Sequence, residues 1–294
     1  MKKVKNNKLL MVIVVGIALG VLIDWVRFDV KINKKIVEER KIINEVKPTV
    51  VATATPTKAP IKQMSFSEMN KIYGPCAKVP VLMYHHIQTA KEASVKRQTG
   101  LTVTPEDFRK NLEYLKSNNY TVVSLSDLVA FFDSGKDLPV KAVVITLDDA
   151  YEDNYSQMWP ILKEFGFKAT IFIPTGLIQN PDYLSWNQMK EMSSAGLIYF
   201  GNHTWSHHSS SGTSEVLEKE ISLADTQLAE HGENQSKIFA YPYGNPSSGA
   251  KVVLQKLDYK IAFTTVHGSI QCKGKRYELP RIRVGGSNLK TYGL

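Results

Sequence analysis

Two clusters of ionisable side chains can do chemistry in this chain. Val143-Val144-Ile145-Thr146-Leu147 is a largely apolar run that ends in adjacent carboxylates, Asp148 and Asp149. His203-Thr204-Trp205-Ser206-His207-His208 follows later. One carboxylate and two imidazoles can hold a divalent metal, which leaves the second carboxylate over. That set suits hydrolysis, because a bound cation acidifies a water and a free carboxylate can take its proton. Zinc is the default for nitrogen and oxygen ligands, and cobalt, nickel or iron fits the same donors. Taken singly, the carboxylates read as a solvated turn and one histidine as structural. The combination carries the argument. His203 and His207 are four apart, so they share a face on a helix or converge in a loop. His208 is the alternative to His207.

Three further groups can join them. His85 and His86 close the apolar run Val79-Pro80-Val81-Leu82-Met83-Tyr84. If that run is a strand beside the Asp148 strand, His85 faces the reaction centre, where an imidazole suits a general acid near neutral pH. Phe239-Ala240-Tyr241-Pro242-Tyr243-Gly244 ends another strand in a tight turn. Tyr243 offers its backbone N–H to a developing oxyanion. Tyr241 and Tyr243 also read as stacking platforms for a sugar. Arg281 and Arg283 alternate on one strand face, and one of them can pair with Asp148. The bland reading of that pair is two solvated edge arginines.

The elements that must position these groups alternate. Strands are expected at 79–85, 120–123, 141–147, 168–173, 197–202, 238–241 and 261–264. Helices are expected at 126–133, 155–165, 185–195, 214–231 and 250–257, with one more begun by Thr104 as cap and Pro105 at its first position. Strand 141–147 shows no polar alternation, as in a sheet covered on both faces. Alternating strands and helices argue for a barrel or an open parallel sheet.

The 294 residues suit one sizeable domain with extra material at an end. The formal charge is +9. Much of that excess lies in residues 1–8 and 27–47, so it marks a flank, and no basic-aromatic interleaving suggests nucleic acid. Residues 9–23 are apolar or glycine throughout and follow a lysine-rich start. The span is short for a membrane helix of ~20 residues, and no Ala-x-Ala site follows it. The reading is a basic cytoplasmic tail at 1–8, a transmembrane signal anchor at 9–26 with Trp25 at the outer interface, and an extracellular stalk and linker at 27–62. The catalytic domain is then 63–294. A cleaved signal peptide is the alternative. Cys76 and Cys272 fall in the exported part, where a bridge is permitted; otherwise they are two unpaired thiols. No feature calls for an obligate protein partner.

Thr146-Leu147-Asp148-Asp149-Ala150 resembles the Thr-Phe-Asp-Asp-Gly motif of the polysaccharide deacetylases, the NodB-homology or carbohydrate esterase family 4 group. His203-Thr204-Trp205-Ser206-His207 resembles that family's His-Ser/Thr-x-x-His motif. The resemblance implies a distorted (β/α) barrel, seven-stranded. It implies Asp148 as catalytic base and Asp149, His203 and His207 as metal ligands. Val81-Leu82-Met83-Tyr84-His85-His86 looks like the branch that deacetylates poly-N-acetylglucosamine, whose barrel strands are circularly permuted. His85 then corresponds to the catalytic acid of the family's Leu-x-His strand. Ala150 stands for the motif glycine and Leu147 for its phenylalanine. Ala240 stands where the family's Arg-x-Pro-Tyr has arginine, so Arg281 or Arg283 must replace it. The implied activity is metal-dependent N-deacetylation of N-acetylglucosamine in an extracellular polymer, poly-β-1,6-N-acetylglucosamine by preference. Peptidoglycan is the rival substrate, a xylan O-acetyl esterase is a lesser one, and a decayed carbohydrate-binding wall protein is the reading from a different class.

Overall fold

In the computed structural model, which describes residues 64–233 and 236–294, seven parallel strands close into a barrel. They are β1 (Val81–Tyr84), β2 (Ala142–Asp148), β3 (Ala169–Ile173), β4 (Ile198–Asn202), β5 (Ile238–Ala240), β6 (Ile261–His267) and β7 (Leu279–Arg283). Neighbours follow chain order, and β1 closes the ring by pairing with both β7 and β2. Distortion is local. Strands β4 and β5 share one pairing, Asn202 with Phe239, and the register of β6 on β7 shifts between Phe263 and His267. The fold is the (β/α) barrel that the resemblance implied. The described residues all fall in one compact unit, Gln63–Leu294. The expected tail, anchor, stalk and linker lie outside the described residues. Among those described, no helix is long and apolar enough to cross a membrane.

Helices α1 (Pro105–Ser117), α2 (Leu125–Ser134), α3 (Trp159–Phe165), α4 (Trp186–Ser194), α5 (Ser214–Glu230) and α6 (Ser248–Lys256) complete the alternation. Thr104 caps α1 by accepting from the Asp107 N–H at 3.1 Å, with Pro105 inside the first turn. The helix expected over 155–165 differs. Its first part, Asn154–Met158, is a π-helical turn, and α-helix begins only at Trp159. Pro160 lacks the N–H that a continuous α-helical ladder would need there.

Side-chain parity places the core and the site together. On β2, Val143, Ile145 and Leu147 join a cluster with Phe108, Leu112 and Leu115 of α1 and Leu162 of α3. Ala142 and Val144 belong to a second cluster, with Val81, Phe172, Ala240, Phe263 and Leu279. A strand turns alternate side chains to opposite faces, so the first set faces the helices and the second fills the barrel. Continuing the inward parity toward the strand ends gives Thr146 and Asp148, His85, His203, Thr265, and Arg281 and Arg283. Gly201 makes room inside: a Cβ there would meet the Phe172 ring at 2.8 Å.

A capped helix, Phe66–Tyr73, leads into the short strand Cys76–Lys78, which pairs antiparallel with Ile270–Cys272. Cys76 and Cys272 face each other in that register and form a disulfide. The bridge fixes the entry of the chain to the segment between β6 and β7.

Candidate active site

The chain reverses sharply at the end of β2. Asp149 and Ala150 both adopt left-handed backbone, at φ 75° and 57°. Such a conformation costs about 1 kcal/mol for a residue with a Cβ, which is why glycine suits the position that Ala150 holds. Thr204 and His207 are also left-handed, at φ 67° and 59°. The histidines therefore converge in a loop, not on a helix face. Strain concentrated on these turns is what a preorganised site requires.

The loop brings His203 Nε2 to 3.4 Å and His207 Nε2 to 3.1 Å from Asp149 Oδ1. The donor atoms of the three residues all lie within 4.8 Å of one another. His203 Nδ1 lies 2.7 Å from the Ala240 carbonyl, which can only accept. That bond puts the ring proton on Nδ1 and leaves a lone pair on Nε2. Asp149 Oδ1 is itself buried without a hydrogen-bond donor. Buried acceptors facing one another at this distance fit a divalent cation between them. Burial opposes ionisation of Asp149; whenever the facing imidazoles are protonated they donate to it and hold its carboxyl well below the usual carboxylate range. His203 moves the other way. Burial works against its charged form, and contact with Asp149, aided by Asp148, raises its basicity. His208 lies outside this cluster, and its Nδ1 turns to the Ser209 carbonyl at 2.6 Å.

Asp148 is held apart from this group. Arg281, which is 0 % exposed, donates from Nη1 to Oδ1 and from Nη2 to Oδ2, both at 2.7 Å. Its Nε–H goes to the Thr264 carbonyl at 3.0 Å, and Nη1 also reaches the Thr146 hydroxyl at 3.3 Å. Thr146 in turn donates to the Leu82 carbonyl at 2.7 Å. Burial alone would raise the Asp148 pKa; the guanidinium overcomes it and keeps the carboxyl below its ordinary range. Of the two arginines on β7, Arg281 is the one that pairs with Asp148. Arg283, two residues on, lines the cavity mouth and donates to the Gly100 carbonyl at 3.3 Å.

A cavity of 510 Å³ opens over these groups, lined among others by His85, Asp148, Asp149, His203, His207 and Tyr243. His85 stands at the end of β1, directly beside β2, where Tyr84 pairs with Leu147. Burial pulls its pKa down, against the pull of Asp148 and Asp149. Tyr243 is left-handed at φ 60°, 65 % exposed, and edge-on to His207 at 4.7 Å. Tyr241 departs from expectation. It is buried and donates its hydroxyl to the Tyr277 carbonyl at 3.0 Å, so it cannot be a sugar platform.

Several residues were not singled out from the sequence. Tyr151 lines the cavity, and the Asp149 charge adds to burial in raising its phenol pKa. Asn202 accepts the Thr204 N–H at 2.8 Å and donates to the Ile221 carbonyl at 2.9 Å and the Tyr259 hydroxyl at 2.6 Å. The Tyr259 hydroxyl donates onward to Asp225 at 3.0 Å. This buried chain anchors the histidine loop. An asparagine immediately before His203 was the only sequence signal for it.

A polysaccharide deacetylase family profile matches residues 135–262. The chain is 31% identical over 209 residues to YxkH of Bacillus subtilis, a protein grouped with polysaccharide deacetylases, across 71% of this chain and 72% of that one. It is 27% identical over 225 residues to the poly-beta-1,6-N-acetyl-D-glucosamine N-deacetylase of Staphylococcus aureus strain MRSA252, across 69% and 77%. Among solved structures, the Streptococcus pyogenes deacetylase PplD in complex with acetate superposes with a TM-score of 0.65 at 29% identity, covering 71% of this chain and 92% of that one.

Proposed function

The chain belongs to the polysaccharide deacetylase family and is a hydrolytic enzyme, and from that premise we propose that it removes N-acetyl groups from N-acetylglucosamine units of an extracellular polysaccharide, poly-β-1,6-N-acetylglucosamine in particular. One observation carries the reading: a carboxylate locked by Arg281 stands beside, and separate from, the Asp149–His203–His207 cluster. Similarity to a deacetylase of that polymer supports the substrate.

Asp149, His203 and His207 would hold a divalent ion, zinc by its donor set, and such an ion would supply the positive charge that acidifies a water and polarises the acetyl carbonyl. Asp148, ionised at neutral pH, takes the proton of the attacking water. Arg281 does not touch substrate; it orients Asp148 and keeps it charged. The Tyr243 N–H donates to the oxygen that becomes negative. His85 delivers a proton to the departing amine, whose C–N bond breaks as acetate forms. Tyr243, exposed at the mouth, offers a ring face to a sugar. The lysine-rich start, the apolar run at 9–23 and the Cys76–Cys272 bridge support a single-pass protein with its barrel outside the membrane.

The test is acetate release by the full-length chain offered poly-β-1,6-N-acetylglucosamine, chitin oligomers and peptidoglycan side by side, with and without chelator. The reading expects chelator-sensitive release, fastest from the first. Faster release from peptidoglycan would overturn the polymer, and release indifferent to chelator would overturn the cluster.

A further inference from the structure

Among the described residues none hydrogen-bonds the His85 ring, and His85 lies one position past the last β1 residue paired to β2. Its placement therefore depends on the backbone of residues 85–87, and that backbone is stitched to one neighbouring pair. Asn154, 0 % exposed, donates from Nδ2 to the His85 carbonyl at 2.9 Å and to Asp153 Oδ1 at 3.0 Å. Asp153 Oδ1 also accepts the Ile87 N–H at 2.9 Å. Asp153 Oδ2 accepts from His86 Nδ1 at 2.6 Å. The His86 ring, 2 % exposed, stacks on Tyr151 at 3.6 Å and 17°, and Tyr151 lines the catalytic cavity. Three consecutive residues after β1 are thus each tied to Asp153 or Asn154, where the π-helical turn after β2 begins.

The last residue of β2 is the base, and the segment after β1 carries the acid. Strand pairing fixes their strands but stops short of His85. We propose that Asp153 and Asn154 are positioning residues that hold His85 at its working distance from Asp148, so that they act on proton delivery to the leaving amine and not on the metal or the base. The inference rests on the assignment of His85 as acid. Neither residue touches the cluster or Arg281 through any hydrogen bond among the described residues. A buried amide that bridges two acceptors is a stiff link, and its loss lets the imidazole wander while leaving the other groups in place.

An acid is needed only when the leaving group is poor. An amine must be protonated to depart; the phenolate of an activated aryl acetate need not be. The experiment compares the full-length enzyme with Asn154→Ala, Asn154→Asp, Asp153→Asn and, as reference, His85→Asn. Asn154→Asp keeps the side-chain volume but removes both donations. Each is assayed on a β-1,6-linked N-acetylglucosamine oligomer and on an aryl acetate, and the visible spectrum of the cobalt-loaded protein reports the cluster. For the Asn154 and Asp153 variants, kcat on the amide should fall about ten- to a hundred-fold with KM within about two-fold, and the aryl acetate rate should stay within about three-fold. The cobalt spectrum should not change. Parallel losses on both substrates, an altered spectrum, or undiminished amide turnover in both Asn154 variants would overturn the proposal. If His85→Asn fails to separate the two substrates, the acid assignment falls and takes the proposal with it. If His85→Asn separates them and the loop variants do not, only the proposal falls.

Discussion

Replacing Arg281 by methionine removes a fully buried cation from beside a buried carboxylate. Two 2.7 Å bonds to Asp148 are lost, and the Thr264 carbonyl and Thr146 hydroxyl lose a donor. Breaking one side of a buried ion pair costs about 3–5 kcal/mol, because the partner is left uncompensated. In a domain of this size each kcal/mol moves the melting temperature by about 2–4 °C, so the expected drop is about 6–20 °C. The loss should depend on pH in a definite sense. In the native protein the Asp148 pKa is depressed, so its contribution is present above the ordinary carboxylate value and is lost as pH falls through the folded value. In Arg281→Met the strongest counter to burial is gone, and burial raises that pKa. The folded variant is then penalised at neutral pH and relieved as acid protonates the carboxyl. The stability gap between the two proteins should narrow steadily from neutral pH toward about pH 4. Thermal unfolding followed across that range measures it. Acetate release should fall about a hundred-fold near pH 7 and recover partly at alkaline pH, where Asp148 ionises again. Arg281→Lys keeps a charge but not the two-pronged geometry and should lie between. Replacing both partners, as Arg281→Met with Asp148→Leu, should regain stability without activity. A gap below about 1 kcal/mol, or one indifferent to pH, would refute the buried pair as the element that holds the base.

Three further outcomes follow from the same geometry. Asp148→Asn should abolish acetate release while the protein still binds stoichiometric metal, measured by elemental analysis of the dialysed variant. Asn202→Ala frees the histidine loop and should weaken metal affinity about 10–100-fold in a chelator competition, with Tyr259→Phe weaker in effect. His207→Ala should lose the metal, whereas His208→Ala should retain wild-type affinity, since His208 lies outside the cluster of donor atoms.

Much of the site was legible because it follows from local rules. An apolar strand ending in two acids, a histidine pair four apart and an imidazole closing another strand each declare their chemistry by residue type. The period of two along a strand also predicts which of them face inward. Tyr241 shows where that reasoning stops. Its type suited a sugar platform, yet parity turns it outward into the helix layer with Phe239 and Leu254. Tyr243, beyond the strand, escapes that parity and stays exposed. Asn154 and Asn202 were invisible for the opposite reason. A buried asparagine acts through partners that the chain brings from elsewhere, here the carbonyls of His85 and Ile221.

Donor chemistry, strand and helix order and the alternation toward a barrel are short-range properties, and the amino-acid order alone determined them. Which arginine meets Asp148, which histidine completes the cluster and whether Cys76 meets Cys272 required the closed ring. Barrel closure brings β7 and β1 together from opposite ends of the domain, and only then can a guanidinium near the C-terminus reach a carboxylate on β2. Such contacts depend on the three-dimensional path of the whole chain, which no local pattern of side chains encodes.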